Sequence, residues 1–386
     1  MKEYIQRELS DILVEASGHY PVVTLTGPRQ SGKSTLLKHL FPTYRYVSLE
    51  DPDIRRVAIE DPRGFLKTYP DKTIIDEAQR APDLFSYLQT HVDESDSTGM
   101  YFLAGSHNFL LMQSITQSLA GRTAVLNLLP FSRSELHRAE KLPPTIDEQI
   151  LKGFYPRLYD RKIPAQRFYA DYVRTYVERD VREVTRIVEL NKFEKFIKLC
   201  AARIGQLLNV ASLAMDCGIS VPTAEGWLSI LEGSFIVYRL QPNHVNFNKR
   251  IVKSPKLYFY DTGLACYLLG IKTAEEVGLS YLKRALFENM VVNQFVKDAL
   301  NRGETPDISF WRDSQGNEVD LLVGTENNWQ AYEIKSGHTY NPSFFKGLDK
   351  WGALSSTPPA HRYVIYAGKQ ELTTSGGELV AFDNFF

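Results

Sequence analysis

Cysteine is scarce in this chain, and no charge of either sign is in excess. The three cysteines, Cys200, Cys217 and Cys266, are odd in number and lack metal-ligand spacing. That excludes a disulfide framework and argues for a reducing compartment. Lysine and arginine number 45 against 46 aspartates and glutamates, a formal net charge of −1. There is accordingly no global electrostatic footprint for nucleic acid, and any basic surface must be local. Long hydrophobic runs are missing too. No stretch approaches the ~20 apolar residues that span a bilayer. The opening MKEYIQRELSDILVEASGHYP is too charged for a secretory signal and reads as an amphipathic helix. Neither internal repeats nor low-complexity segments occur. The expectation is a cytoplasmic globular protein, whose 386 residues are enough for two to three domains.

What the sequence does contain is alternation. Short β-branched runs, VVTLTG, YRYVSLE, KTIIDE, MYFLAGS and AVLNLLP, are separated by helical stretches between about residues 20 and 130. This pattern predicts a parallel sheet with crossover helices. Within it, Gly27 to Ser34 of GPRQSGKST has the P-loop spacing, with a strand before it and the helix-forming TLLKHLF after. Gly27 and Gly32 let backbone amides face phosphates, and the helix amino terminus, with Thr35 in its first turn, adds a positive pole. Lys33 can reach the β- and γ-phosphates of ATP, and the Ser34 hydroxyl can ligate Mg2+. In KTIIDEAQ, Asp76 ends an apolar strand at the sheet edge where ligands bind. Asp76 can hold Mg2+ through water and Glu77 can polarise the attacking water. Ser106 or Asn108, in LAGSHN, is placed to report the γ-phosphate. Arg122, after a glycine in LAGRTAV, is a candidate arginine finger, in cis or from a neighbouring subunit.

Further on, a helix is expected from about Ala165 to Ile187. Then come helix, helix, turn, helix and two strands from about Lys192 to Tyr260, an order that suggests a winged helix. Its second motif helix, PTAEGWLSIL, has no basic residue, which is poor equipment for reading bases. Lys249, Arg250, Lys253 and Lys256 cluster near the wing tip and could meet DNA phosphates. Trp227 and Phe235 are expected in the core. In the last hundred residues, Asp320 enters a strand, and Glu333 and Lys335 follow in YEIKSG on one face of the next. With Glu288 from the preceding helix, Asp320 and Glu333 would make a Mg2+ site, with Lys335 as a charge-stabilising or water-activating cation. His338, just past the motif, reads as a loop residue.

The segments GPRQSGKST, TIIDEAQ, LAGSHNFLL, LAGRTAVLNLLPFSRSE, GFYPRLY and YVRTYVERDVREV together resemble prokaryotic predicted ATPases of the AAA+ superfamily that carry a C-terminal domain of unknown function. The resemblance runs over essentially the whole chain. It implies nucleotide positions at Lys33, Ser34, Asp76 and Glu77. It also puts Arg179 and Asp180 where the family has a recurring RD signature, implying a role in sensing nucleotide or bridging domains. The order helix acid, strand Asp, then Glu-x-Lys is similar to the PD-(D/E)XK nuclease core, although no proline stands beside Asp320.

The expected fold is therefore α/β. A P-loop NTPase parallel-sheet domain (1–135) leads through a helical linker or lid (136–190) and a winged helix (191–265) to a PD-(D/E)XK-like α/β domain (266–386). The expected function is an ATPase that uses ATP and Mg2+ and acts on DNA through the wing and the C-terminal domain, with homo-oligomers possible and no membrane partner. The alternative is a nucleotide-dependent protein-interaction switch with a non-catalytic C-terminal scaffold.

Overall fold

A computed structural model describes residues 4–106, 108–161, 163–177, 190–243, 252–324 and 328–386. All five strands expected before residue 130 form: β1 (Val22–Thr26), β2 (Arg45–Ser48), β3 (Thr73–Asp76), β4 (Tyr101–Gly105) and β5 (Thr123–Asn127). They pair in the order β2-β3-β4-β1-β5, parallel throughout. Successive side chains leave a strand on opposite faces, and the buried clusters follow that alternation. Val22, Ile75, Tyr101 and Leu103 meet Phe65, Phe85, Leu88 and Val92 on one face. Val23, Leu25, Ile74 and Phe102 meet Leu9, Leu13, Leu36 and Leu37 on the other. Because the ladder is parallel, the carboxyl ends of β1, β3 and β4 form one edge. The amino-terminal helix is shorter than expected, Ser10–His19, and Tyr4 to Leu9 before it are not helical.

The middle of the chain is helical. Ala165–Tyr172 opens the expected long helix and continues as a π-helical turn over Val173–Val177; residues 178–189 lie outside the described residues. Helices Leu190–Ala201, Val210–Cys217 and Val221–Gly233 precede an antiparallel pair, β6 (Val237–Leu240) and β7 (Lys256–Phe259). Gly218 is the left-handed C-cap between the second and third of these. Trp227 and Phe235 are buried, as expected. The wing tip falls in residues 244–251, outside the described residues, and takes Lys249 and Arg250 with it. Lys256, expected beside them at the surface, is instead 2% exposed. It begins β7, whose ladder and a bridge to Leu207 turn its side chain inward.

The C-terminal unit is a mixed sheet in the order β12-β13-β11-β10-β9-β8. Its strands are β8 (Ile308–Arg312), β9 (Glu318–Val323), β10 (Gln330–Lys335), β11 (Arg362–Tyr366), β12 (Leu372–Thr374) and β13 (Gly377–Ala381). The β9–β10 hairpin is antiparallel and pairs Tyr332 with Leu321; carrying that register on sets Asp320 opposite Glu333. Helix Lys346–Ser355 covers one face through Leu348 and Trp351. Helix Lys283–Asn301 covers the other through Leu286, Phe287 and Met290, within a cluster that also contains the middle helices. The middle and C-terminal units thus share one core. No helix among the described residues is long and apolar enough to cross a membrane.

Helix Lys283–Asn301 also reaches the first unit. Lys297 is 1% exposed, donates to the Phe131 carbonyl at 2.7 Å and lies 4.2 Å from the Phe154 ring centroid. Burial pushes its ammonium down to about 8, with Asp261 and Glu135 opposing. A lysine depressed in the folded state binds its proton more weakly there than in the unfolded chain. Stability must therefore rise as pH climbs from about 8 towards the unfolded value near 10.4. Lys297→Met should remove that rise, worth up to about 3 kcal/mol, when denaturant unfolding of the two proteins is compared between pH 7.5 and 10. Parallel pH curves would show that the buried ammonium carries no such penalty.

Candidate nucleotide site

The loop between β1 and helix Lys33–Leu40 is shaped by its glycines. Gly27 has φ 145°, and a Cβ there would sit 2.2 Å from the Leu128 carbonyl oxygen. Gly32, the residue before the helix, is left-handed at φ 97°. Both positions require the freedom of glycine. The turn delivers Lys33 and Ser34 into the first turn of the helix. Lys33 Nζ is folded across its own loop, donating to the carbonyls of Gly27 and Pro28, each at 2.9 Å. Ser34 Oγ donates to Asp76 Oδ2 at 2.6 Å. The loop and the acidic tip of β3 therefore meet within a single hydrogen bond.

β4 lies between β1 and β3, so the residue after it, Ser106, stands at the edge between loop and acid. Ser106 is 2% exposed, and its hydroxyl has no hydrogen-bond partner among the described residues. Asp76 Oδ1 accepts from the Glu77 amide at 3.0 Å, and Oδ2 also accepts from Tyr46 at 2.5 Å. Burial, and then the bond to Asp76, raise the Tyr46 phenol well above its ordinary pKa, so it stays a donor. Glu77 is left-handed at φ 53°, and its carboxylate accepts from Gln79 Nε2 at 2.5 Å. That unusual backbone turns Glu77 out of the strand direction and into the cleft.

The cleft has a volume of 610 Å3. The P-loop, Asp76, Glu77 and Ser106 form one side, and Pro156, Arg157, Tyr159 and Arg161 of the middle unit face them. Tyr4, Ile5 and Phe131 supply apolar and aromatic lining. All of Gly32, Lys33, Ser34, Thr35, Asp76, Glu77 and Ser106 line this one space, and Gly27 closes the loop behind it. A hydroxyl and a carboxylate converging beside an unpartnered serine, with a lysine in the loop, are the donor set that a Mg2+–triphosphate requires. These residues fit that group.

Other expected residues fall elsewhere. Arg122 precedes β5, and its carbonyl accepts from the Val22 amide at the amino edge of the sheet, opposite the cleft. Its guanidinium is tied to Asp93. As a finger in cis it is therefore corrected: the β1 strand separates it from its own nucleotide site by ~17 Å. His107, Arg179 and Asp180 lie outside the described residues, as does the side chain of Asn108.

The sequence reading missed Arg7, Tyr46, Arg157 and Arg161. Arg7 is 4% exposed and comes from the segment before the first helix. It donates to Ser31 O at 2.9 Å, to Leu129 O at 2.6 Å and to Glu135 at 3.0 Å, and stacks 4.8 Å from the Phe131 ring centroid. It braces the back of the P-loop. Half of this arrangement was readable: Ser132 and Glu135 in FSRSE form a capping box. No local pattern pairs that glutamate with a residue 128 positions earlier.

In the C-terminal unit, Lys335 pairs with Glu333 on the shared face, as expected. The carboxylates that converge are Glu288, Glu318 and Asp320, whose oxygens lie within 4.8 Å of one another. Glu318 takes the place expected of Glu333. Lys256 Nζ stands among them, 2.8 Å from Glu288 and 2.5 Å from Glu318. An ammonium thus stands inside the cluster, and Lys256 is buried there rather than exposed on the wing.

Three family matches divide the chain. Residues 19–137 match the AAA domain, residues 144–275 a domain of unknown function (DUF8612) and residues 283–384 another domain of unknown function (DUF4143). The amino-terminal unit is thus similar to the AAA domain over residues 19–137. Over 375 residues the chain is 29% identical to the uncharacterized protein Rv2008c of Mycobacterium tuberculosis and, equally, to Mb2031c of Mycobacterium bovis, covering 96% of this chain and 82% of each relative. Among solved structures it is similar to the Walker-type ATPase PABY2304 of Pyrococcus abyssi (15% identity, 69% of this chain and 96% of that one, TM-score 0.45). It is also similar to RuvB of Thermotoga maritima (16% identity, 60% and 86%, TM-score 0.31).

Removing the brace behind the P-loop has a defined cost. Arg7→Met leaves Glu135 buried without its cation and two carbonyls without a donor. Unfolding free energy should fall by about 3 kcal/mol, measured by denaturant titration, and nucleotide affinity should fall with it. Wild-type stability in Arg7→Met would show that the loop holds its shape unaided.

Proposed function

We propose that the chain binds ATP with Mg2+ in the 610 Å3 cleft and hydrolyses it, and that closure of the middle unit over the nucleotide makes the protein a nucleotide-dependent interaction switch. The observation that carries this reading is the Ser34–Asp76 hydrogen bond of 2.6 Å, which brings both halves of a metal–triphosphate site together. When bound, Mg2+ supplies a divalent charge to β- and γ-phosphate oxygens. Ser34 and Asp76 would hold it, with Tyr46 fixing the carboxylate.

The protein's own groups account for the rest. Lys33 exchanges its two loop carbonyls for phosphate oxygens. Glu77, held by Gln79, accepts the proton of the attacking water. The Ser106 hydroxyl, unpartnered beside the loop, donates to the γ-phosphate. Tyr4, Phe131 and Tyr159 give the cleft an aromatic wall for the base. Arg157 and Arg161 approach from the middle unit, so charge at the phosphates draws that unit down. Since the middle unit shares a core with the C-terminal unit, nucleotide state would be felt throughout the chain.

The switch is favoured over action on DNA by the surface of helix Val221–Gly233. Its exposed positions include Thr223, Glu225 and Ser229, and Glu225 and Glu232 are both paired with Arg239. Such a face is poorly equipped either to hold phosphate or to read bases. If Arg122 serves as a finger, it does so on a neighbouring copy's nucleotide.

Lys33→Ala should weaken ATP binding by about 10- to 100-fold, the worth of a charge-assisted contact. Glu77→Gln should retain binding and lose about 100-fold or more in turnover. Equilibrium binding of a fluorescent ATP analogue and steady-state phosphate release measure the two. Single- and double-stranded DNA should leave turnover unchanged. Wild-type protein that neither binds nor hydrolyses ATP would end this reading, and strong stimulation by DNA would replace the switch with a DNA-directed ATPase.

A further inference from the structure

The acidic cluster of the C-terminal unit draws on two elements. Glu288 comes from helix Lys283–Asn301, and Glu318 and Asp320 come from β9. Convergence of three carboxylates within 4.8 Å is the arrangement of a hard-cation site. Glu288 is 4% and Asp320 0% exposed, and Asp320 Oδ1 has no hydrogen bond among the described residues. Charges this deeply buried need a cation.

The structure supplies that cation as a lysine ammonium. Lys256 Nζ is 2.8 Å from Glu288 Oε1, 2.5 Å from Glu318 Oε1 and 3.8 Å from Asp320 Oδ1. Its side chain passes the Phe310 ring, 5.4 Å from the centroid, and its backbone is held in β7 by Leu240 and Leu207. Arg312 holds the other Glu318 oxygen at 3.0 Å, and Arg284 stands 3.9 Å from Asp320. Three carboxylates thus face Lys256, Arg312 and Arg284, and the charges cancel. A divalent ion would have to displace a buried ammonium and would leave the site with an excess of positive charge.

We propose that Lys256 is the resident cation of this centre, which is thereby closed to divalent metal and serves as an ion-pair joint between the middle and C-terminal units. Tyr258, two residues along the same strand, donates to Glu288 at 2.6 Å and completes the joint from the middle unit's side. Asp320 Oδ2 accepts from the Ile334 amide at 2.8 Å and completes it from the sheet's side. Burial pushes the Lys256 ammonium towards neutrality, but Glu288, Asp320 and Glu318 together push it further the other way, so it stays charged. Nearby Glu333 is paired with Lys335, so the two add no net charge; burial, then Asp320, raise the Glu333 carboxyl against the pull of Lys335.

The test is Mn2+ binding to the nucleotide-free full chain, followed by electron paramagnetic resonance, in an Asp76→Asn background that removes the P-loop carboxylate. The parent should take up no Mn2+ at the cluster, so Asp320→Asn should leave its Mn2+ titration unchanged. Lys256→Met in the same background should gain one Mn2+ per chain, lost again when Asp320→Asn is added, because removing the ammonium leaves three carboxylates for a hard cation. Mn2+ bound by the parent and lost in Asp320→Asn would overturn the proposal. So would a folded Lys256→Met protein that gains no Mn2+. If Lys256→Met does not fold, the parent and Asp320→Asn titrations still decide.

Discussion

The hydrogen bond from Ser34 Oγ to Asp76 Oδ2 joins positions 42 residues apart, and the amino-terminal unit is organised around making it possible. It needs β1 and β3 parallel with their carboxyl ends level, which the intervening β4 enforces through its two ladders. It needs the loop to turn sharply enough to begin a helix at Lys33, which Gly27 and Gly32 allow. It also needs the carboxylate immobile. Tyr46 and the Glu77 amide hold Asp76 from two further directions, so the oxygen that meets Ser34 has little freedom. The hydrogen bond between these groups marks where a cation would sit. A cleft preset in this way loses less conformational entropy when its ligand arrives.

Around that point the chain is tied together by charged groups drawn from distant segments. Arg7 and Glu8 are the clearest case. Arg7 braces the P-loop and Glu135. Glu8 accepts from Ser132, Ser134, Arg138 and, in helix Lys283–Asn301, Asn301. Two adjacent residues thereby touch the nucleotide loop, the segment after β5 and the longest C-terminal helix. Arg133 extends the same connection, bonding Gln149 in the middle unit and Asp383 in the last helix. Buried charges are costly to break singly, so such a hub makes the relative positions of the units depend on one another. That dependence is what a switch uses.

The two acidic sites make an instructive contrast. At the P-loop, the lysine bonds neutral backbone carbonyls, which it can exchange for phosphate, and the carboxylate is held by hydroxyls. At the C-terminal cluster, the lysine bonds the carboxylates themselves. The same residue types produce an open site in one place and a neutralised joint in the other. The difference lies in which partner each ammonium reaches.

From local pattern alone the chain specified its strands, its P-loop and its acidic strand end, because these depend on spacing along the backbone. Val, Ile and Leu runs of strand length, a glycine-lysine-serine turn and an apolar run ending in Asp76 each state their own geometry. The hairpin that sets Asp320 opposite Glu333 was legible for the same reason. The brace from Arg7, the phenol of Tyr46, the facing Arg157 and Arg161, the remote position of Arg122 and the burial of Lys256 were decided by tertiary structure. Each depends on a partner more than twenty residues away or on an adjacent sheet edge. A lysine near a turn reads as solvated until the fold shows three carboxylates waiting where its side chain ends. Periodicity records which way a side chain leaves the backbone; only packing decides what it meets.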